Sequence, residues 1–209
     1  MSEVTELREI TEAELPEALR EHWKNAKSSV ERNNHGYAIK FLQAILKECP
    51  GFLNARKLLR QAEISETGAA PGQGRKGLFG TSSSGGNFTR QAKKDPVAAL
   101  VEIEKGLEKD PFSEGLNDSL HEVALGMGLH STAAFALETS RKGNPTQTKI
   151  GHKLAKFYLS RDMQLEASEV YRDIVAQDPG DGQAVKMEKD CSAKASMQKN
   201  RMSEDQSFK

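Results

Sequence analysis

The sequence predicts an all-α fold built from stacked helix hairpins, on three observations. Apolar residues return at spacings of three and four along most of the chain, the mark of helices with one buried stripe. Sustained period-two alternation and β-branched runs between hairpin turns are absent, so no sheet is expected. Pro111, Pro145 and Pro179 are evenly spaced, each beside polar turn formers, at the period of a repeat with two helices per unit.

The elements follow in chain order. A helical pattern runs from Glu12 to about Arg32 through Leu15, Leu19, Ala26 and Val30. His35 and Gly36 interrupt it, and a second run follows with Tyr37, Ala38, Phe41, Leu42, Ile45 and Leu46. Cys49-Pro50-Gly51 stops that helix and a third opens at Phe52, with Leu53, Leu58, Leu59 and Ala62 on one face through Ser65. After Asp95 a helix carries Ala99 and Ile103, closing at Pro111. The unit from Glu114 to Pro145 carries Leu120, Ala124, Ala133 and Leu137. The unit from Thr148 to Pro179 carries Leu154, Ala155 and Tyr158 in one helix and Ala167, Tyr171 and Ile174 in the next. Residues 182–199 supply a last helix through Ala184, Val185, Met187, Cys191 and Ala195, covering the apolar face that a final repeat exposes.

One interval breaks the period. Pro50 and Pro111 are separated by more than one period and less than two. The stretch GTSSSGGNFT is a poor helix former. Residues 52–65 are therefore read as the first helix of the second pair, and residues 66–94 as an insertion between its two helices. Seven of the chain's 17 glycines lie there, so ordering the segment costs much entropy for little burial. It is expected to be mobile, or anchored through Leu78 and Phe79 alone.

On these residues the chain resembles the tetratricopeptide repeat family over roughly residues 15–181, most fully in the last unit. The resemblance implies a right-handed superhelical α-solenoid of four TPR-like helix pairs. Residues 1–14 would then be an N-terminal tail, 182–199 a capping helix and 200–209 a polar, frayed tail. Two kinds of position depart from the family pattern. The large aromatic of the first helix is His22, Arg56, Asn117 and Gly151 in the four units. The small residue four places later is Ala26 and Ala155 in two units but Arg60 and His121 in the others.

The family takes an extended peptide or a helix in the groove lined by its first helices. The resemblance places in that groove Arg20, Trp23, Lys24 and Lys27, then Asn54, Lys57, Leu58 and Gln61. It adds Gly115, Asp118, Ser119 and Glu122, and finally Lys149, His152, Lys153 and Lys156. Seven of these sixteen are basic and two acidic in a chain with 30 basic and 30 acidic residues, which favours a partner bearing carboxylates. The alternative is that these lysines only solvate an exposed face. The asparagines of the family's carboxylate clamp are missing from the first and middle units. Trp23 fits two roles, an interface anchor or a core residue continuing the stripe from Leu19 to Ala26.

Other chemistries find little support. Gly72, Gly74 and Gly77 have dinucleotide-fingerprint spacing, but Pro71 precedes them and no strand leads in. The five histidines make no i,i+4 pair and no CxxC occurs, so no metal site or cofactor is expected. Cys49, at the end of an apolar stripe, reads as a small filler rather than a nucleophile. No apolar run is long enough to span a membrane and no export signal is seen, so the expectation is a cytoplasmic, non-catalytic scaffold for a protein or peptide. The runner-up is nucleic-acid or anionic-surface binding through the insertion, where Arg75, Lys76, Arg90, Lys93 and Lys94 face Glu66 as sole acid. Self-association is left open.

Overall fold

The computed structural model describes residues 8–72 and 85–207. Every regular element among them is helical. The helices are α1 (Glu17–Glu31), α2 (His35–Glu48), α3 (Leu53–Thr67), α4 (Gly85–Ala92) and α5 (Pro96–Leu107). After them come α6 (Glu114–Gly126), α7 (His130–Gly143), α8 (Thr148–Ser160), α9 (Gln164–Gln177) and α10 (Gly182–Ser207). Helices α6, α8 and α10 begin at equal intervals along the chain, and α5, α7 and α9 keep the same interval, that of the closing prolines. The turn inside a hairpin repeats as well. Asn33, Gly128 and Asp162 each adopt a left-handed backbone there, at φ of 57°, 74° and 57°. Asn, Gly and Asp are the residues that tolerate it.

The chain divides into two compact units, one ending at Asn144 and one beginning at Pro145. In the first, α1 and α2 form a hairpin and α3 packs against both. Their core holds Leu15, Ala26, Ala38, Leu42, Ile45 and Leu59, all essentially excluded from solvent. Each large aliphatic side chain so buried contributes roughly 1.5–3 kcal/mol, while the two alanines keep the space between helices small. Trp23 belongs to the same core, 7% exposed, with its ring edge-on to Phe52 at 5.0 Å. Helices α4 and α5 pair, both pack on α6, and α6 pairs with α7.

Two departures of the sequence from the family pattern are accommodated by hydrogen bonding. Asn117 is fully buried and its Nδ2 donates to Pro111 O at 3.1 Å and Ser113 O at 2.9 Å. The buried His121 donates from Nδ1 to Ala133 O at 3.0 Å. In the second unit, α8 and α9 pair and α10 lies along α9. Gly151 stands where a large side chain was expected because Ile174 already fills that space; a Cβ there would lie 2.9 Å from Ile174 Cδ1.

Four boundaries differ from the sequence reading. The N-terminal segment from Arg8 is docked rather than loose. Ile10 N donates to Gly51 O at 3.1 Å, and the Glu9 carboxylate accepts from Ser131 Oγ at 2.7 Å and Thr132 N at 3.2 Å, capping α7. Gly51 permits this, since a Cβ would collide with the backbone of Arg8. Helix α1 starts at Glu17, not Glu12, because Pro16 separates it from a short 3-10 turn at Glu12–Glu14. Within the expected insertion at 66–94, α3 continues to Thr67 and α4 is helical. Poor propensity at Gly85 and Gly86 is outweighed by packing on α5 and α6. So α4, not α3, is the helix paired with α5. The expected motion of the insertion, with Leu78 and Phe79, concerns residues 73–84, which lie outside the described residues. Finally, α10 continues to Ser207 instead of fraying after residue 199, as neither Gly nor Pro follows Gly182 to stop it.

Ala167 lies on α9, which packs along α8, and is completely buried. Ala167→Leu should therefore destabilise the protein by about 1–3 kcal/mol through overpacking, read from the denaturation midpoint. An unchanged midpoint would place Ala167 on a different face.

Candidate functional site

Ten of the sixteen groove residues expected from sequence, on α1, α3 and α8, fall into three sets. On α1, Arg20 is exposed with Nε donating to Leu15 O at 3.2 Å, and Lys24 is exposed. Lys27 Nζ sits 5.1 Å above the Trp23 ring and 2.9 Å from Glu12 Oε1. The hydrogen bond from Lys27 holds the Glu12 carboxyl below its ordinary value. Trp23 is buried, so its ring serves the core. On α8, in the second unit, Lys149 and Lys156 are exposed and Lys153 is half-buried. His152 Nε2 lies 2.6 Å from Asp181 Oδ2, with its ring edge-on to Tyr171 at 5.8 Å. Asp181 also accepts from Ala184 N at 2.9 Å, and that backbone bond, then His152, lowers its pKa.

The third set, Lys57 and Gln61 on α3, lines a cleft. It has a volume of about 410 Å³ and runs between α3 and α7 within the first unit. Its α3 wall is Lys57, Arg60, Gln61, Ile64 and Ser65. Its α7 wall is Phe135, Glu138, Thr139 and Lys142, with Phe112 from the α5–α6 turn. Helical periodicity puts Lys57, Gln61 and Ile64 on one face of α3, and Phe135, Glu138 and Lys142 on one face of α7. Phe112 is positioned from both sides. Asn117 holds the carbonyl of Pro111, and Asn144 Nδ2 donates to Phe112 O at 3.1 Å. Gly143 lets the Phe112 ring lie against the end of α7, where any Cβ would collide with it.

Beneath the α3 wall lies a buried charge cluster. Arg56 is 0% and Arg60 2% exposed, and both reach across to Glu104 of α5. Arg56 Nε donates to Glu104 Oε1 at 2.7 Å and Arg60 Nη2 to Glu104 Oε2 at 2.8 Å. Arg56 Nη1 also donates to Pro50 O at 2.8 Å and Thr132 Oγ1 at 3.1 Å, reaching the first turn of α7. Arg60 Nη1 donates to Glu63 Oε2, with Glu63 fully buried. Among the described residues, Arg60 Nε and Glu63 Oε1 find no hydrogen-bond partner.

The two carboxyls of this cluster differ in state. Burial, the largest influence, pushes the Glu63 carboxyl up to about 8; Arg60 opposes it, and Glu104 and Glu108 add to it. Burial pushes Glu104 upward too, but Arg60 and Arg56 together outweigh it and hold it below the ordinary value. At neutral pH the cluster therefore carries two guanidinium charges, one carboxylate and one neutral carboxyl. The net positive charge lies directly behind a wall that also bears Lys57.

Sequence reasoning singled out Arg56 and Arg60 as departures from an apolar pattern and stopped there. The remaining signal was two arginines four apart in a buried stripe, a Glu three residues on, and Glu104 beside the buried Ile103. Buried charges require partners.

Glu63 gives a pH dependence of definite sign. The unfolded chain releases this proton near 4.5, the folded protein near 8. Between those values the native state holds the extra proton, so stability falls as pH rises, by up to about 1.4 kcal/mol per pH unit. Glu63→Gln keeps the neutral form. Urea denaturation at pH 5.5, 6.5 and 7.5 should show a shallower decline in that variant than in the wild type. Equal slopes would show that Glu63 ionises normally.

No family model matches the sequence, and no curated protein matches it. Among solved structures the chain is similar to MamA protein at 16% identity, covering 90% of this chain and 87% of that one, with a TM-score of 0.39. It is also similar to TTC0263, a thermophilic TPR protein from Thermus thermophilus, at 19% identity, covering 87% and 84%, with a TM-score of 0.38.

Proposed function

We propose that this chain is a non-catalytic interaction module that holds an acidic segment of a partner protein in the α3–α7 cleft. One observation carries the reading. The cleft sets Lys57, Arg60 and Lys142 around an apolar lining of Ile64, Phe112 and Phe135. Aromatic and aliphatic walls favour a partner's apolar side chain, and the surrounding cations favour its carboxylates and disfavour a basic competitor.

The thiols suit a structural role. Burial, then Glu48, raises the Cys49 pKa, and burial raises that of Cys191, so both stay protonated and weakly nucleophilic at neutral pH. Both are free cysteines, which fits the cytoplasmic setting proposed for the protein. Among the described residues no helix is long and apolar enough to cross a membrane. The basic residues Lys24 and Lys27 of α1, in the first unit, are proposed as secondary attraction for the same partner, and Lys149, Lys153 and Lys156 of α8 as a separate basic face of the second unit.

A photocrosslinking residue at the exposed Gln61 position tests this directly. Crosslinks should map to an acidic stretch of one partner and weaken with salt, since exposed charges are screened over about 8 Å at physiological ionic strength. Lys57→Glu with Lys142→Glu should cut the yield about tenfold or more, with helicity unchanged. Undiminished crosslinking in that double variant contradicts the assignment. Recovery of nucleic acid through Arg90, Lys93 and Lys94 would establish the basic-segment alternative instead.

A further inference from the structure

The charge cluster sits in the wall of the cleft, and Arg60 belongs to both. Its Nη1 is held by Glu63 and its Nη2 by Glu104, while Nε, buried and without a partner among the described residues, remains a free donor. We propose that binding in the cleft is linked to a proton: a partner carboxylate drawn to Arg60 excludes the ionised form of Glu63, which binds one proton from solvent wherever it starts ionised. This rests on the reading of the cleft as the acidic-segment site.

Two guanidiniums can balance two carboxylates in this buried space. Glu104 is one of them, fixed by a hydrogen bond to each arginine. Glu63 and an incoming carboxylate compete to be the second, because two anions beside Arg60 repel each other at low dielectric. The surroundings of Glu63 sharpen that competition. Arg60 on its own helix attracts it, while Glu104 of α5 and Glu108, just past the end of α5, repel it. Gln43 of α2 binds Glu108 Oε2 at 2.8 Å without neutralising it. Helices α1 and α2 otherwise meet α3 across the apolar cluster of Ala26, Leu42 and Leu59. From α7, Glu138 and Lys142 face the cleft. Glu63 thus has one attracting cation and two repelling anions, whereas Glu104 has two cations. Reciprocity follows: if the partner favours the proton, the proton favours the partner.

With Glu63 titrating near 8, affinity should be level up to about pH 7.5 and then fall. The test uses a rhodamine-labelled decapeptide with one central phenylalanine and glutamate elsewhere, and its glutamine counterpart as control. Fluorescence anisotropy gives Kd from pH 6.5 to 9, below the range where lysines titrate. Linkage predicts a rise in Kd of up to about eightfold between pH 7.5 and 9 for the wild type, and less than about twofold for Glu63→Gln. Calorimetry of the wild type at pH 8.5 in two buffers should show about three-quarters of a proton taken up per peptide bound. A wild-type Kd constant across the range, an equal rise in Glu63→Gln, or no proton uptake would each overturn the linkage and leave the cleft assignment standing. Failure of the peptide to bind, or undiminished binding by Lys57→Glu with Lys142→Glu, would instead remove the cleft and the linkage together. Far-UV circular dichroism at each pH separates unfolding from loss of binding.

Discussion

The first unit is organised around one carboxylate. Glu104, almost wholly buried, gives one oxygen to Arg56 and the other to Arg60, joining α5 to α3 through two charge-assisted bonds. Arg56 extends the link to the Pro50 carbonyl before α3 and to Thr132 on α7. A buried ion pair gives little net stability against apolar side chains of the same shape, because dehydrating the charges offsets their attraction. Its consequence is specificity. A guanidinium left without Glu104 would be an uncompensated buried charge, so α3, α5 and α7 keep one register.

That constraint explains how an irregular interval fits into a regular repeat. The helices after residue 95 keep one even period, whereas the starts of α2 at His35 and α5 at Pro96 are nearly two such periods apart. Two first-type helices, α3 and α4, fall within that interval. Helix α4 packs with α5 and α6, as the register of the later hairpins requires. Helix α3 packs on the first hairpin and has α5 as its ionic partner. The cleft between α3 and α7 belongs to the same arrangement. Its one wall is a helix packed on the first hairpin through Leu59 and tied to α5 by arginines, and its other is a second-type helix carrying Phe135 and Lys142.

Periodic features were legible in the sequence and contingent ones were not. The proline spacing gave the hairpins, and the stripe through Leu19 and Ala26 gave a core to which Trp23 also belongs. The resemblance named Lys57 and Gln61 for a groove of first helices; they stand four apart on α3, on the face that lines the cleft toward α7. Phe112 comes from a turn and Phe135 and Lys142 from α7, so no rule confined to first helices would have included them. Glu104, which Arg56 and Arg60 share, lies 48 and 44 residues away from them, with no local signal connecting it to either. Helix α4 escaped notice for a related reason: Gly85 and Gly86 weigh against a helix locally, and only contacts with α5 and α6 reverse the balance. The docked N-terminal segment depends on Gly51 and Ser131, both far from it in sequence.

The central claim is that Glu104 and the two arginines act as one unit, and a double-mutant cycle on Arg56 and Glu104 tests it most directly. Arg56→Met and Glu104→Met should each destabilise the fold by about 3–5 kcal/mol, since each strands a buried charge. Combined, they should cost clearly less than the sum, with a coupling of about 2–3 kcal/mol. Additivity within about 0.5 kcal/mol would mean that the residues do not interact in the folded protein, and the account of how α3 is held would be wrong.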